Sequence, residues 1–163
     1  MNRKLQDMLT REDVPFELVH HREVYTAQER AAVCHIAGRM LAKVVVVHDP
    51  TDDWFALAVL PAPAYLDVIA LRELTGRPHA RLAHEAEFAR LLAGCDLGAM
   101  PPFGRLWSGI EVFLDRALAA SRDIVFEAGS HDEEVRMDMA DYVRVARPEV
   151  AALTGGAAGV WPC

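Results

Sequence analysis

The sequence predicts an α/β chain of the α+β type, in which a mixed β-sheet is flanked by helices. Three observations predict it. Segments with the two-residue alternation of strands and segments with helical spacing are interleaved irregularly along the chain. Several strand candidates follow one another too closely for the helical crossovers that a doubly wound parallel sheet requires. The composition, 52% hydrophobic and 25% charged over 163 residues, is that of a folded chain with one core of ordinary size, so residues 1–163 are expected to form a single domain.

Leu5, Met8 and Leu9 recur at helical spacing, which predicts an amphipathic helix ending near Asp13. Phe16 to His20 alternates as a half-buried strand does. Thr26-Ala-Gln-Glu29 has the form of a capping box, placing Thr26 at the start of a short helix. Met40 to Val47 and Trp54 to Leu60 read as buried strands joined by the turn His48 to Asp53, a hairpin at the sheet's centre. Leu66, Ile69, Leu71 and Leu74 mark a helix stopped by Gly76, and His84 to Leu92 a helix stopped by Gly94. Asp96 to Gly104, with two glycines and two prolines, is a shaped loop. Ile110 to Leu114, Ile124 to Phe126 and Val135 to Met137 are short strands, and Ala140 to Ala146 is a helix leading to Pro148. A loose tail is expected over 154–163.

Composition excludes several classes. No window approaches the roughly eighteen apolar residues of a membrane span, and the first residues lack the pattern of an export signal, so a cytoplasmic protein with no membrane partner is expected. Cys34, Cys95 and Cys163 are too few and too scattered for a disulfide framework or a paired zinc motif. A formal net charge of −7 argues against non-specific wrapping of nucleic acid, so any such partner must meet a local patch; DNA is not expected.

A few residues stand out as chemistry. Lys43 lies among Leu41, Ala42 and the run Val44 to Val47, a cation beside a buried strand. Either its stem lies on apolar surface while the ammonium reaches water, or the ammonium lines a pocket and binds a phosphate or a carbonyl oxygen. The loop Gly98 to Gly104 is either a rigid turn or a cradle whose glycines let backbone N–H groups approach a ligand. His131, after Gly129-Ser130 and before three acidic residues, is either a solvated loop histidine or a base that orients water. His20, His21 and His35 lack the companions of a metal site, so no metal is expected, and no nucleophile elbow, phosphate loop or dinucleotide fingerprint is present.

Taken in order, YTAQE at Tyr25–Glu29, Met40 to Lys43 before a valine run, GAMPPFG at Gly98–Gly104, GSH at Gly129–His131 and ADYVRVARPEV at Ala140–Val150 resemble the YbaK-type editing domains associated with prolyl-tRNA synthetase. The resemblance spans nearly the whole chain and points to a member that works in trans. It implies a partly barrel-like mixed sheet and hydrolysis, with no metal or organic cofactor, of the ester that joins a small mischarged amino acid to tRNA, most naturally tRNA(Pro). Alanine, serine, threonine and 2-aminobutyrate are the candidate amino acids. The aminoacylated end of tRNA is the implied partner, and a prolyl-tRNA synthetase a second one.

By the same resemblance Lys43 matches the family's signature lysine, and Gly98-Ala-Met-Pro-Pro102 its glycine loop. The implied catalytic set is Lys43, Gly98, Ala99 and His131. Tyr25, Thr26, Met100, Pro101, Pro102, Phe103 and Ser130 are the implied substrate-binding set, with Met100 and Phe103 as pocket walls.

Overall fold

A computed structural model describes residues 1–91 and 94–155 of the chain. Helix α1 (Arg3–Arg11) turns Leu5, Met8 and Leu9 inward, and the Asn2 side chain caps it by accepting from the amides of Lys4 and Leu5. Strand β1 (Phe16–His20) follows, then α2 (Ala27–Val33), opened by the expected capping box of Thr26 and Glu29.

Strands β2 (Ala42–Asp49) and β3 (Trp54–Pro61) form the expected antiparallel hairpin, in register from Ala42↔Pro61 to Asp49↔Trp54. Because β3 is covered on both faces it reads as a continuous apolar run. Phe55, Leu57 and Val59 enter one core cluster, while Ala56, Ala58 and Leu60 enter another.

Helix α3 (Val68–Thr75) ends at Gly76, whose φ of 67° supplies the left-handed turn. Its inward face is narrower than the leucine spacing suggests: Leu71 is buried, but Ile69 is 67% exposed. The helix expected over His84–Leu92 is a single turn, α4 (Glu85–Phe88), continued by a 3-10 turn Ala89–Leu91; residue 92 lies outside the described residues.

Strand β5 (Glu111–Asp115), β6 (Asp123–Glu127), β7 (Glu133–Asp138) and helix α6 (Met139–Ala146) match the expected segments within a residue or two. Three short pieces went unread in the sequence: β4 (Arg81–Leu82), α5 (Arg116–Ala119) and β8 (Glu149–Ala151). The buried Asp115 carboxylate fixes two of these, accepting from Ala117 N of α5 and from Leu153 N and Thr154 Oγ1 beyond β8. The expected loose tail falls mostly outside the described residues.

The strands form two sheets rather than one. The five-stranded sheet, in order β4-β2-β3-β5-β8, is mixed: β4-β2-β3 is antiparallel, and β5 and β8 join in parallel. The three-stranded sheet, β1-β7-β6, is wholly antiparallel. A parallel bridge, Leu41↔Val125, stitches the two, and Val125 N donates to Met40 O at 3.0 Å. The described residues form no closed barrel.

One core cluster draws on both sheets as well as α1 and α6, with Leu57, Leu114, Ile124, Phe126, Val135 and Tyr142 among its members. The second lies on the opposite face of the five-stranded sheet, against Leu66, Leu71 and Leu153. Among the described residues, no helix is long and apolar enough to cross a membrane.

Candidate active site

The two glycines of GAMPPFG answer different needs. Gly98 has a φ of 86°, a conformation costly for side-chain-bearing residues, and an added Cβ there would sit 3.8 Å from His131 Cε1. Gly104 is required by close approach, since a Cβ would fall 1.8 Å from Ile110 O. Between them the loop is riveted to the core. Pro101 O accepts from Trp107 Nε1 (3.2 Å), Pro102 O accepts from Tyr142 Oη (2.9 Å), and the Phe103 ring packs edge-on to Phe126 and Tyr142.

Ala99, Met100 and Phe103 are buried, and Gly98 is exposed. Met100 and Phe103 thus belong to the core and hold the loop's path from beneath. The amide of Ala99 donates to Asp96 O (3.0 Å); among the described residues the amides of Gly98 and Met100 meet no acceptor.

His131 stands against this loop. Its Nε2 lies 3.0 Å from Leu97 O and its Nδ1 2.7 Å from Glu127 Oε1, so each ring nitrogen faces an acceptor. The Tyr25 ring, 69% exposed, is tilted over the imidazole with centroids 4.9 Å apart. Backbone bonds hold Tyr25's segment to the histidine loop: Val24 N donates to His131 O and His21 N to Asp132 O. Ser130 Oγ reaches Glu133 Oε2 at 3.5 Å. The Thr26 hydroxyl is occupied by its capping role, accepting from Glu29 N and donating to Glu29 Oε2.

Lys43 projects from the face of β2 opposite Ala42 and Val44, the side of Leu60 and the second core cluster. Its Nζ lies 5.0 Å from the centroid of the Tyr65 ring, and no carboxylate forms an ion pair with it among the described residues. Half-burial pulls its pKa below the ordinary lysine value. The charge is therefore held over an aromatic face and available to an anion.

Lys43's strand reaches the His131 group through residues that the sequence reading did not single out. Arg30, in α2, donates from Nη2 to Ala42 O (3.3 Å). It also forks onto Glu134 through Nε (2.6 Å) and Nη2 (2.9 Å), and its Nη1 lies 3.4 Å from Glu127 Oε2. Burial is the largest influence on Arg30 and acts against its charge, but the hydrogen bond and charge of Glu134, with Glu127 beyond, outweigh it and raise its pKa. For Glu127 burial prevails over Arg30 and His131, and its pKa is raised. The available signal was the one that marked Lys43: a charge at the end of an apolar strand run, as in Ile124-Val-Phe-Glu127.

His21 Nε2, Cys34 Sγ and a Glu134 oxygen lie within 4.8 Å of one another, a grouping that could hold a metal ion. The chemistry opposes it. Both Glu134 oxygens already accept from Arg30, whose positive charge would adjoin any cation. The Cys34 thiol is pushed up to about 11 by burial and by the Glu134 charge, far from the thiolate that a metal needs.

Residues 21–145 match the family model for the aminoacyl-tRNA editing domain. The chain belongs to the aminoacyl-tRNA editing domain family. It is 34% identical over 155 residues, 91% of its length and 90% of the relative's, to the multifunctional Ser/Thr-tRNA deacylase ProXp-y in each of two strains of Escherichia coli. Among solved structures it resembles APE2540, a hypothetical protein, with a TM-score of 0.83 and 21% identity, covering 94% of this chain and 100% of that one. It also resembles a proposed trans-editing enzyme for prolyl tRNA synthetase, with a TM-score of 0.80 and 21% identity, covering 94% and 96%. These structural likenesses show the fold.

Proposed function

We propose that this editing-domain protein is a deacylase acting in trans, hydrolysing the ester of serine or threonine, and of alanine or 2-aminobutyrate where they fit, on mischarged tRNA. The observation that carries the reading is the Gly98 loop, exposed at Gly98 and riveted from beneath, with the Gly98 and Met100 amides unengaged by other described residues. The named activity of the 34% identical relatives supports serine and threonine.

In this mechanism the substrate carbonyl oxygen lies toward the amides of Gly98 and Met100, which stabilise the charge developing on it. Lys43 anchors a phosphate or the polar end of the substrate. Water adds to the carbonyl carbon, the bond from that carbon to the ribose oxygen breaks, and the proton that the water gives up passes to the departing ribose oxygen, which leaves as a hydroxyl. Tyr25 and Ser130 border the entry, and Thr26 fixes the helix start beside it. Ala99 contributes shape rather than a donor, since its amide is committed to Asp96 O. No protein nucleophile and no metal enter the scheme.

The second site follows from the weakness of size discrimination, because a synthetase pocket gains only about 1–3 kcal/mol per methylene and admits smaller amino acids. The setting is the cytoplasm, tRNA(Pro) is the favoured carrier, and a prolyl-tRNA synthetase is the partner that would deliver it. The test is deacylation of tRNA(Pro), tRNA(Ala) and tRNA(Thr) charged with Ser, Thr, Ala, 2-aminobutyrate or Pro, beside Lys43→Ala. Lysine-dependent hydrolysis of Ser or Thr esters with Pro-tRNA(Pro) spared is the expected result; no hydrolysis of any member would leave a tRNA-binding module instead.

A further inference from the structure

We infer that Glu127, backed by Arg30, is a positioning residue that aims the Gly98 amide through His131; the inference rests on the proposal that this amide meets the ester carbonyl. A carbonyl oxygen can only accept, so the contact between His131 Nε2 and Leu97 O requires the proton to be on Nε2. Leu97 C=O and Gly98 N–H belong to one planar trans peptide unit and point in opposite directions. Holding Leu97 O against the imidazole therefore aims Gly98 N–H away from it, toward the exposed side of the turn. A glycine tolerates either orientation of that peptide, so without the histidine the unit is free to flip and withdraw the donor.

Glu127 sets the histidine. Its Oε1 lies 2.7 Å from Nδ1, so a proton must also lie between these two atoms, on the ring or on the carboxyl. Arg30 Nη1 on the other carboxylate oxygen fixes the acid's rotamer, and Arg30 is itself held by Glu134 and Ala42 O. With its Nε2–H committed to Leu97, His131 holds the loop rather than activating water. Among the described residues the ionisable groups against the ring are Glu127 on β6 and Tyr25 before α2, with Arg30 beyond Glu127 and the charge of Asp96 felt at Tyr25.

The test is Glu127→Gln, close to isosteric. An amide there can satisfy Nδ1 either as acceptor or as donor, so it no longer fixes which ring nitrogen carries the proton and which faces Leu97 O. At neutral pH kcat for Ser-tRNA is expected to fall about 10- to 100-fold with KM within about 3-fold, the scale of a small misplacement in a site. An unchanged kcat, or a loss carried by KM with kcat intact, overturns the inference. Ring nitrogen chemical shifts of wild-type His131 give a readout free of any variant: protonated Nε2 is expected, and a tautomer with the proton on Nδ1 alone overturns it. Gly98→Val separates the two levels. If it is inactive while Glu127→Gln is normal, only the positioning role fails; if both turn over normally, the carbonyl-binding loop fails as well.

Discussion

Arg30 and Glu134 meet fork to fork inside the protein, with Nε–Oε1 at 2.6 Å and Nη2–Oε2 at 2.9 Å and side-chain exposures of 5% and 0%. Breaking such a pair from one side leaves a buried charge without its partner, which costs about 3–5 kcal/mol. Arg30→Met is therefore expected to lose about that much stability in denaturant unfolding at neutral pH. The loss should lessen in acid. Glu127 already has a pKa raised by burial, and removing Arg30 raises it further. A raised carboxyl contributes stability that is full below the ordinary carboxyl range and is lost as pH rises through the folded value, so the gap from wild type narrows as pH falls. A gap independent of pH would show that Glu127 takes no part.

Lys43 separates activity from stability. Its pKa is lowered by burial, so the charged form is a cost in the folded state, and the corresponding stabilisation appears only as pH rises above the folded value. Lys43→Met is expected to abolish turnover while its thermal midpoint at neutral pH equals or exceeds that of wild type. Wild-type kcat/KM should lose its alkaline limb at a pH below that at which an ordinary lysine titrates. A strongly destabilised Lys43→Met would mean that the ammonium holds the fold instead.

Gly98 pays for its conformation only when a side chain is added. At φ 86° an alanine costs about 1–2 kcal/mol of strain, while the space beside His131 Cε1 accommodates a Cβ. Gly98→Ala is expected to fold, with a modestly lowered midpoint and a kcat reduced more than its KM is raised. Equal kcat in the two proteins would show that the loop's amides are not donors to the reaction.

Thr26 caps α2 through both halves of a box with Glu29. Thr26→Ala is expected to lose about 1 kcal/mol, read as a denaturant midpoint, with early hydrogen exchange confined to the first turn of α2. Wild-type stability would mean that water replaces the hydroxyl at no cost.

What was legible in the sequence is what acts over a few residues. The capping box at Thr26, the leucine face of α1, the β2–β3 hairpin and the glycine loop each carry their cause within one turn or one strand. Two-residue β4 and three-residue β8 have no period to reveal, and β8 exists because Phe113 to Asp115 offers it an edge. The division into two sheets depends on pairings such as Phe16↔Met137, which local pattern cannot rank. Lys43 and Gly98 stood out as local anomalies. Arg30 did not, since its partner Glu134 lies 104 residues away and an arginine on a short helix looks like any solvated one.

The bridge between Leu41 and Val125 gives the two sheets a common origin. Because the bridge is parallel, both chains leave it in the same direction, and each reaches a charged residue after two positions: Lys43 along β2 and Glu127 along β6. At roughly 3.3 Å per residue, both stand about 7 Å from the same reference mark. The ammonium belongs to one sheet and the histidine's anchor to the other, yet their separation is gauged from one short baseline. Two apolar residues with no chemistry of their own thereby limit how far one sheet can slide past the other at the strand ends that carry these charges.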